Sequence, residues 1–177
     1  AAFSNPSNSA INSAYIMPGS LGLPDRDFYT NTDPASVKIR EQYVDHITRM
    51  LKFLGDTEES ARKQAETILA FETKLAAPRF DKVQSRDFRN LNNPRSMAEL
   101  QNMLPELNWK QVFKGMGAIK IPDTVIVMQP KYMATLKQMF AKPDLDTWKT
   151  VIRWSTLNSS ASMLSTEIER ANFDFYS

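Results

Sequence analysis

The chain has 177 residues, enough for a substantial apolar core, with 42% hydrophobic and 24% charged residues as in ordinary globular proteins. It has no cysteine and a single histidine, which excludes disulfides, thiol nucleophiles and cysteine–zinc sites. A net charge of +2 argues neither for nor against nucleic acid. Arg79-Phe80, Lys82, Arg86 and Phe88-Arg89 interleave basic and aromatic residues as strand-binding grooves do, but without a fold signature or basic excess. No nucleic-acid partner is therefore expected.

Residues 1–18 are polar and rich in Asn and Ser, and the expectation is an irregular lead-in with room for one short strand or turn, closing on the short apolar run Ala14-Tyr-Ile-Met17. Gly19-Ser-Leu-Gly-Leu-Pro-Asp-Arg-Asp-Phe-Tyr29 follows, too dense in backbone punctuation for regular structure. Gly19 and Gly22 are free to take positive φ, and Pro24 pushes Leu23 towards extended backbone. An ordered loop anchored by Phe28, Tyr29 and an Arg26–carboxylate contact is expected over residues 1–32 taken with the lead-in.

Asp33-Pro34 starts a helix, and Tyr43, Ile47, Met50, Leu51 and Leu54 recur at helical spacing until Gly55. Asp56 with Glu59 reads as the capping box of a second helix, with Ala61, Ala65, Ile68, Leu69, Leu75 and Ala76 on its buried stripe and Pro78 at its end. The short connection predicts a helical hairpin over 33–77. Residues 78–95, with five basic and two acidic side chains, read as an extended, solvated linker.

Further helices are expected over 96–177. Ser96-x-x-Glu99 caps one, Asn108 another from Trp109 to about Met116, and Pro130 opens a third that Pro143 stops. Thr124-Val-Ile-Val-Met128 is the one β signal. Asp144 or Asp146 caps the last and longest helix, with Trp148, Val151, Ile152 and a file of serines to Ser165 down one side. The chain closes on Asn172-Phe-Asp-Phe-Tyr-Ser177, an apolar stretch that suggests truncation from a larger chain. The expected fold class is mainly α, a multi-helix domain fragment with one short β segment near 124–128.

Leu21-Gly-Leu-Pro-Asp-Arg-Asp-Phe-Tyr29 resembles the Gly-Leu-Pro-x-Arg-Asp-Tyr-Tyr segment of the neprilysin and endothelin-converting-enzyme family of zinc endopeptidases, Phe28 replacing a Tyr. Ile68 to Ala76 around Glu72, Arg86-Asp87 with Asn92, Leu100, Pro105 and Trp109, and Val125-Ile-Val127 with Pro130-Lys-Tyr132 follow the family's order. The likeness runs from about Tyr15 to Tyr176. It implies a fragment of the non-catalytic N-terminal helical domain, which restricts access to an enclosed cavity and faces the catalytic domain, its partner. Peptides are the implied substrates, and zinc the cofactor of the parent, held by His-Glu-x-x-His and Glu-x-x-x-Asp motifs further along. One histidine cannot build that site, so no catalytic residue, no metal ligand and no zinc are expected here. The absence of cysteine leans towards a bacterial oligoendopeptidase-like member, exported to the periplasm or cell surface with its signal outside these residues. No apolar run approaches the roughly 20 residues that span a bilayer.

Asp25, Arg26 and Asp27 are the candidate substrate contacts, weighed against the simpler role of pinning the loop. Glu72, with no titratable partner in its pattern, is expected to accept hydrogen bonds from a neighbouring segment. Glu41, Asp45 and His46 mimic a ligand motif by letter, but read as a solvated face and a packing histidine. Asn158-Ser-Ser160 matches a glycosylation acceptor but falls within a helix. The rival to the peptidase reading is a stand-alone helical protein-interaction module.

Overall fold

The computed structural model describes residues 1–5 and 8–177. Its elements in chain order are strands β1 (Ala2–Asn5) and β2 (Asn8–Ile16), then helices α1 (Arg26–Thr30), α2 (Pro34–Lys52), α3 (Glu58–Ala76), α4 (Lys82–Arg86) and α5 (Phe88–Leu91). Strand β3 (Pro94–Ser96), α6 (Met97–Met103), α7 (Trp109–Gly115), β4 (Thr124–Val127) and α8 (Pro130–Ala141) come next, followed by α9 (Leu145–Ser160), a 3-10 turn (Ala161–Met163) and α10 (Thr166–Tyr176). The mainly α class stands, with ten helices and one small four-stranded sheet among the described residues.

Two compact units divide the chain. One joins Ala1–Ser20 to Pro78–Lys142, and the other joins Leu21–Ala77 to Pro143–Ser177.

The first unit carries the sheet, in the order β1-β2-β4-β3. The pairs β1–β2 and β3–β4 are antiparallel, and β2 runs parallel to β4 with Tyr15 opposite Ile126. The sheet corrects two expectations. The lead-in is two paired strands rather than an irregular stretch with one short strand or turn, although Pro6 and Ser7 lie outside the described residues, and β3 also accompanies the β4 segment foreseen. Most of β2 has no apolar alternation to betray it; Asn8, Asn12 and Ser13 are strand residues because a partner supplies their ladder. The linker is likewise not extended. Asp81 caps α4 through a full capping box with Gln84, and Asp87 caps α5, so two short helices occupy the charged stretch. Val125, Ile126 and Val127 are buried with Leu100, Leu104, Trp109, Phe113, Tyr132 and Met133.

The second unit is helical. The Asp33 carboxylate accepts from the Ser36 amide and Pro34 sits in the first turn, as the sequence signals. Tyr43, Ile47, Met50 and Leu51 are buried as expected, each contributing roughly 1.5–3 kcal/mol. Leu54 is exposed, because α2 ends two residues earlier. Thr57, not Asp56, caps α3, accepting from the Ser60 amide. Asp56 is instead bound to Arg153 of α9, 2.5 Å away, which also reaches Gln64. The Trp148 ring meets Phe71 edge-on at 4.9 Å, seating α9 on α3.

The long terminal helix is broken. Asp144 caps α9, but Leu164 adopts extended backbone after the 3-10 turn and the chain restarts as α10. The break lets α10 fold back on α2, where His46 stacks on Phe175.

Candidate functional site

The Leu21–Tyr29 loop leads into α1 through a cap made by one of the candidate residues. Asp25 is extended and its carboxylate accepts from the Asp27 amide at 2.9 Å. Arg26 Nε lies 3.2 Å from Asp27 Oδ1, with the two side chains 28% and 35% exposed. Asp25, Arg26 and Asp27 are thus together in one helical turn, bonded to one another and still open to solvent. Arg40 of α2 donates to the Phe28 carbonyl at 2.7 Å and holds the turn from behind.

Below the loop lies a buried polar node. Tyr29 Oη donates to Glu72 Oε2 at 2.7 Å, and Tyr43 Oη donates to the same oxygen at 3.0 Å. Each hydroxyl also accepts one bond: Tyr29 from the Leu23 amide at 2.8 Å, and Tyr43 from Trp154 Nε1 at 3.2 Å. Five segments are therefore tied into one hydrogen-bonded node centred on this carboxylate: the loop, α1, α2, α3 and α9. Burial first, then the neighbouring Glu72 charge, raises both phenols well above the ordinary tyrosine range. They stay protonated and act as donors. The arrangement distributes hydrogen bonds and holds shape; it offers no exposed acid or base.

Glu72 accepts from neighbouring segments, as expected of a carboxylate on an apolar stripe. Its partners escaped sequence reasoning because they lie 29 and 43 residues away in chain. Tyr29 within the Gly-Leu-Pro segment was the one available signal.

The glycines act differently from the expectation. Neither Gly19 nor Gly22 takes positive φ. What requires glycine at 22 is proximity, since a Cβ there would fall on the Tyr43 hydroxyl. Gly22→Ala is expected to destabilise this unit by about 1–3 kcal/mol, by pushing Tyr43 off Glu72. Gly19→Ala, which meets nothing within 4 Å, is expected to be near neutral. Urea unfolding of the two variants checks the contrast.

The residues present do not fit a zinc ion. Among the described residues no three of His, Cys, Asp or Glu come together as ligands. His46 is 5% exposed, stacked on Phe175 at 4.5 Å and edge-on to Trp154 and Tyr176. Asp45 is paired with Arg62, and Glu41 is exposed on α2. Asn158 lies within α9, its amide donating to Tyr176 Oη at 3.3 Å.

The chain thus holds one helical unit whose loop is clamped by a buried Tyr–Glu–Tyr node and another that carries a small mixed sheet. The model of Peptidase family M13 matches residues 2–177, and the chain belongs to that family. Endothelin-converting enzyme 1 of Rattus norvegicus is 26% identical over 172 residues, covering 95% of this chain and 22% of the rat protein. Neprilysin-3 of Drosophila melanogaster is 26% identical over 168 residues, covering 89% and 21%. Among solved structures, the zinc metalloprotease Zmp1 of Mycobacterium tuberculosis in its open state superimposes with a TM-score of 0.83 at 29% identity, over 93% of this chain and 26% of Zmp1. The chain spans about a fifth to a quarter of the length of these relatives.

Proposed function

We propose that this chain is a segment of the cavity-forming, substrate-restricting domain of a zinc-dependent endopeptidase that cleaves short peptides, and that it is not catalytic alone. The observation that carries the reading is the family match along the whole chain. The packing of the one histidine agrees with it, since the metal would have to be held by residues elsewhere in the parent. The remainder of the parent, including its catalytic domain, is the main partner, and short peptides are the substrates. Export to the periplasm or cell surface goes with the family; no helix among the described residues is long and apolar enough to cross a membrane.

The role assigned to this segment is mechanical. A wall that admits short peptides and excludes folded proteins must not breathe, and a satisfied buried node tying five segments gives that rigidity. Extending the reading frame past the codon for Ser177 tests the reading directly. A continuation with His-Glu-x-x-His, whose product cleaves a short peptide while the 177-residue chain does not, supports it. A continuation without that motif, or peptide hydrolysis by this chain alone, overturns it.

Asp25, Arg26 and Asp27 are proposed as the segment's peptide contacts. Arg26 would pair with a substrate carboxylate while Asp25 keeps the helix cap. In the parent enzyme, Arg26→Ala is expected to raise KM for acidic or C-terminally free peptides about fivefold with kcat unchanged, a loss of uniform binding of ~1 kcal/mol. An unchanged KM with a lowered unfolding midpoint would assign Arg26 to the loop alone.

A further inference from the structure

Helix α7 ends in a built turn. The Gly117 amide donates to the Lys114 carbonyl at 2.9 Å, and the Ala118 amide to the Phe113 carbonyl at 3.0 Å. This paired closure occupies two carbonyls at the helix end and places the residue after the cap in the left-handed region, where Gly117 has φ +82°. Phe113 is buried at the base, so the turn is seated on the core.

What this rigid turn presents to solvent is apolar. Met116 is 70% exposed, and Ile119, at 105%, is covered by nothing. Side chains so exposed project from the turn into solvent. Lys110, Lys114 and Lys120 flank them in sequence, all exposed, and none is ion-paired among the described residues. Across residues 109–123 the three lysines face a single acid, Asp123.

Two exposed apolar side chains on a fixed turn, with three ammonium groups close by in sequence, suit a surface with phosphates outside and hydrocarbon immediately beneath. A rigid protein partner would need a cavity shaped to the tip and its own carboxylates placed for each lysine. A lipid interface deforms to the tip and supplies mobile anions, while flexible lysine stems keep their charges at headgroup level. We propose that the Gly115–Lys120 turn docks this chain on an anionic phospholipid surface. Met116 and Ile119 enter the headgroup boundary, and Lys110, Lys114 and Lys120 meet the lipid phosphates.

Co-sedimentation of the chain with vesicles tests this. Phosphatidylglycerol-containing vesicles are expected to bind it at least about tenfold more strongly than pure phosphatidylcholine vesicles, at about fivefold per lysine engaged. Binding is expected to fall steeply in about 0.5 M salt. M116S/I119S and K114Q/K120Q, on exposed positions outside the core, are each expected to weaken binding without changing the far-ultraviolet circular dichroism. V83S, which removes an equally exposed apolar side chain elsewhere, is expected to change nothing. Equal binding to both vesicle types, no binding to either, or equal loss in V83S and M116S/I119S would overturn the proposal. In the second case the tip would be left to a protein partner.

Discussion

Replacing Glu72 by alanine is expected to lower the stability of the unit formed by Leu21–Ala77 and Pro143–Ser177 by about 3–5 kcal/mol, among the largest effects available to a single substitution in this chain. Two buried hydroxyls lose their common acceptor, each an unmade hydrogen bond of roughly 1–3 kcal/mol, and the side chain leaves a cavity. Relief from burying the carboxylate offsets part of this, so the loss is less than the sum. Glu72→Gln keeps the shape and one carbonyl oxygen, and is expected to cost only about 1–2 kcal/mol. Tyr29→Phe and Tyr43→Phe, both acting on the same carboxylate, are expected to be non-additive with Glu72→Gln by about 0.5–3 kcal/mol. Urea unfolding followed by tryptophan fluorescence reads these values. Trp148 and Trp154 lie in the affected unit and Trp109 in the other, so a Trp109→Phe background isolates the signal. Hydrogen exchange supplies the local test. The Leu23 amide, bonded to Tyr29, should lose protection in Glu72→Ala, while the strand amides of Val125–Val127 should keep theirs. Loss of protection in both places would mean that Glu72 supports the whole chain, not the clamp on the loop.

That node shows where the sequence was legible and where it was not. Helix ends were readable wherever the signal was local. Asp33-Pro34, Ser96 with Glu99, Asn108 and Asp144 each cap the helix expected of them, because a cap is made by residues two or three apart. Strand β4 was readable because β-branched residues run together in it. The hairpin β1–β2 was not: its residues are polar, and their conformation is set by a ladder whose parallel side comes from residues about 110 positions further on. Asp56 was misassigned because its true partner, Arg153, lies 97 residues away. The same limit governs the site. Glu72 was recognisable as a buried acceptor from the apolar residues around it, but nothing in its neighbourhood names Tyr29, Tyr43 or Trp154. Gly22 could be read as special only for the wrong reason, since its conformation is ordinary and the Tyr43 hydroxyl above it is what excludes a side chain.

Acid is expected to destabilise the same unit through His46 as pH falls below 6.5. The imidazole sits between α2 and α10, stacked on Phe175 and edge-on to Trp154 and Tyr176, and its Nε2 has no hydrogen-bond partner among the described residues. Burial, with the Arg49 charge adding to it and Asn172 acting the other way, lowers its pKa to about 4 from the ordinary 6.5. The charged groups facing it are Asp45 and Arg49 on α2 and Asp174 on α10. Asp45 is bound to Arg62, and Arg49 and Asp174 face each other at 3.7 Å, so neither carboxylate neutralises an imidazolium. The sign follows from proton binding. Between pH 6.5 and 4 the unfolded chain takes up a proton at His46 that the folded chain refuses, so stability rises with pH across that window. The contribution is fully present above pH 6.5 and is lost as pH falls towards 4. It amounts to about 3 kcal/mol, or roughly 1.4 per pH unit displaced. His46→Phe keeps an aromatic ring against Phe175 and removes the titration. The variant is expected to hold a nearly constant unfolding free energy from pH 7 to 4.5, while the native chain loses most of this amount. The cap carboxylates Asp33, Asp87, Glu99 and Asp144, whose pKa values are lowered by hydrogen bonds, stabilise the folded chain above their ordinary range and lose that contribution only at the acid end of this window and below it, equally in both chains. The difference between native and variant therefore belongs to His46. Parallel curves for the two would mean that the ring is protonated in the folded chain without disturbing α10, and that its stack with Phe175 tolerates the charge.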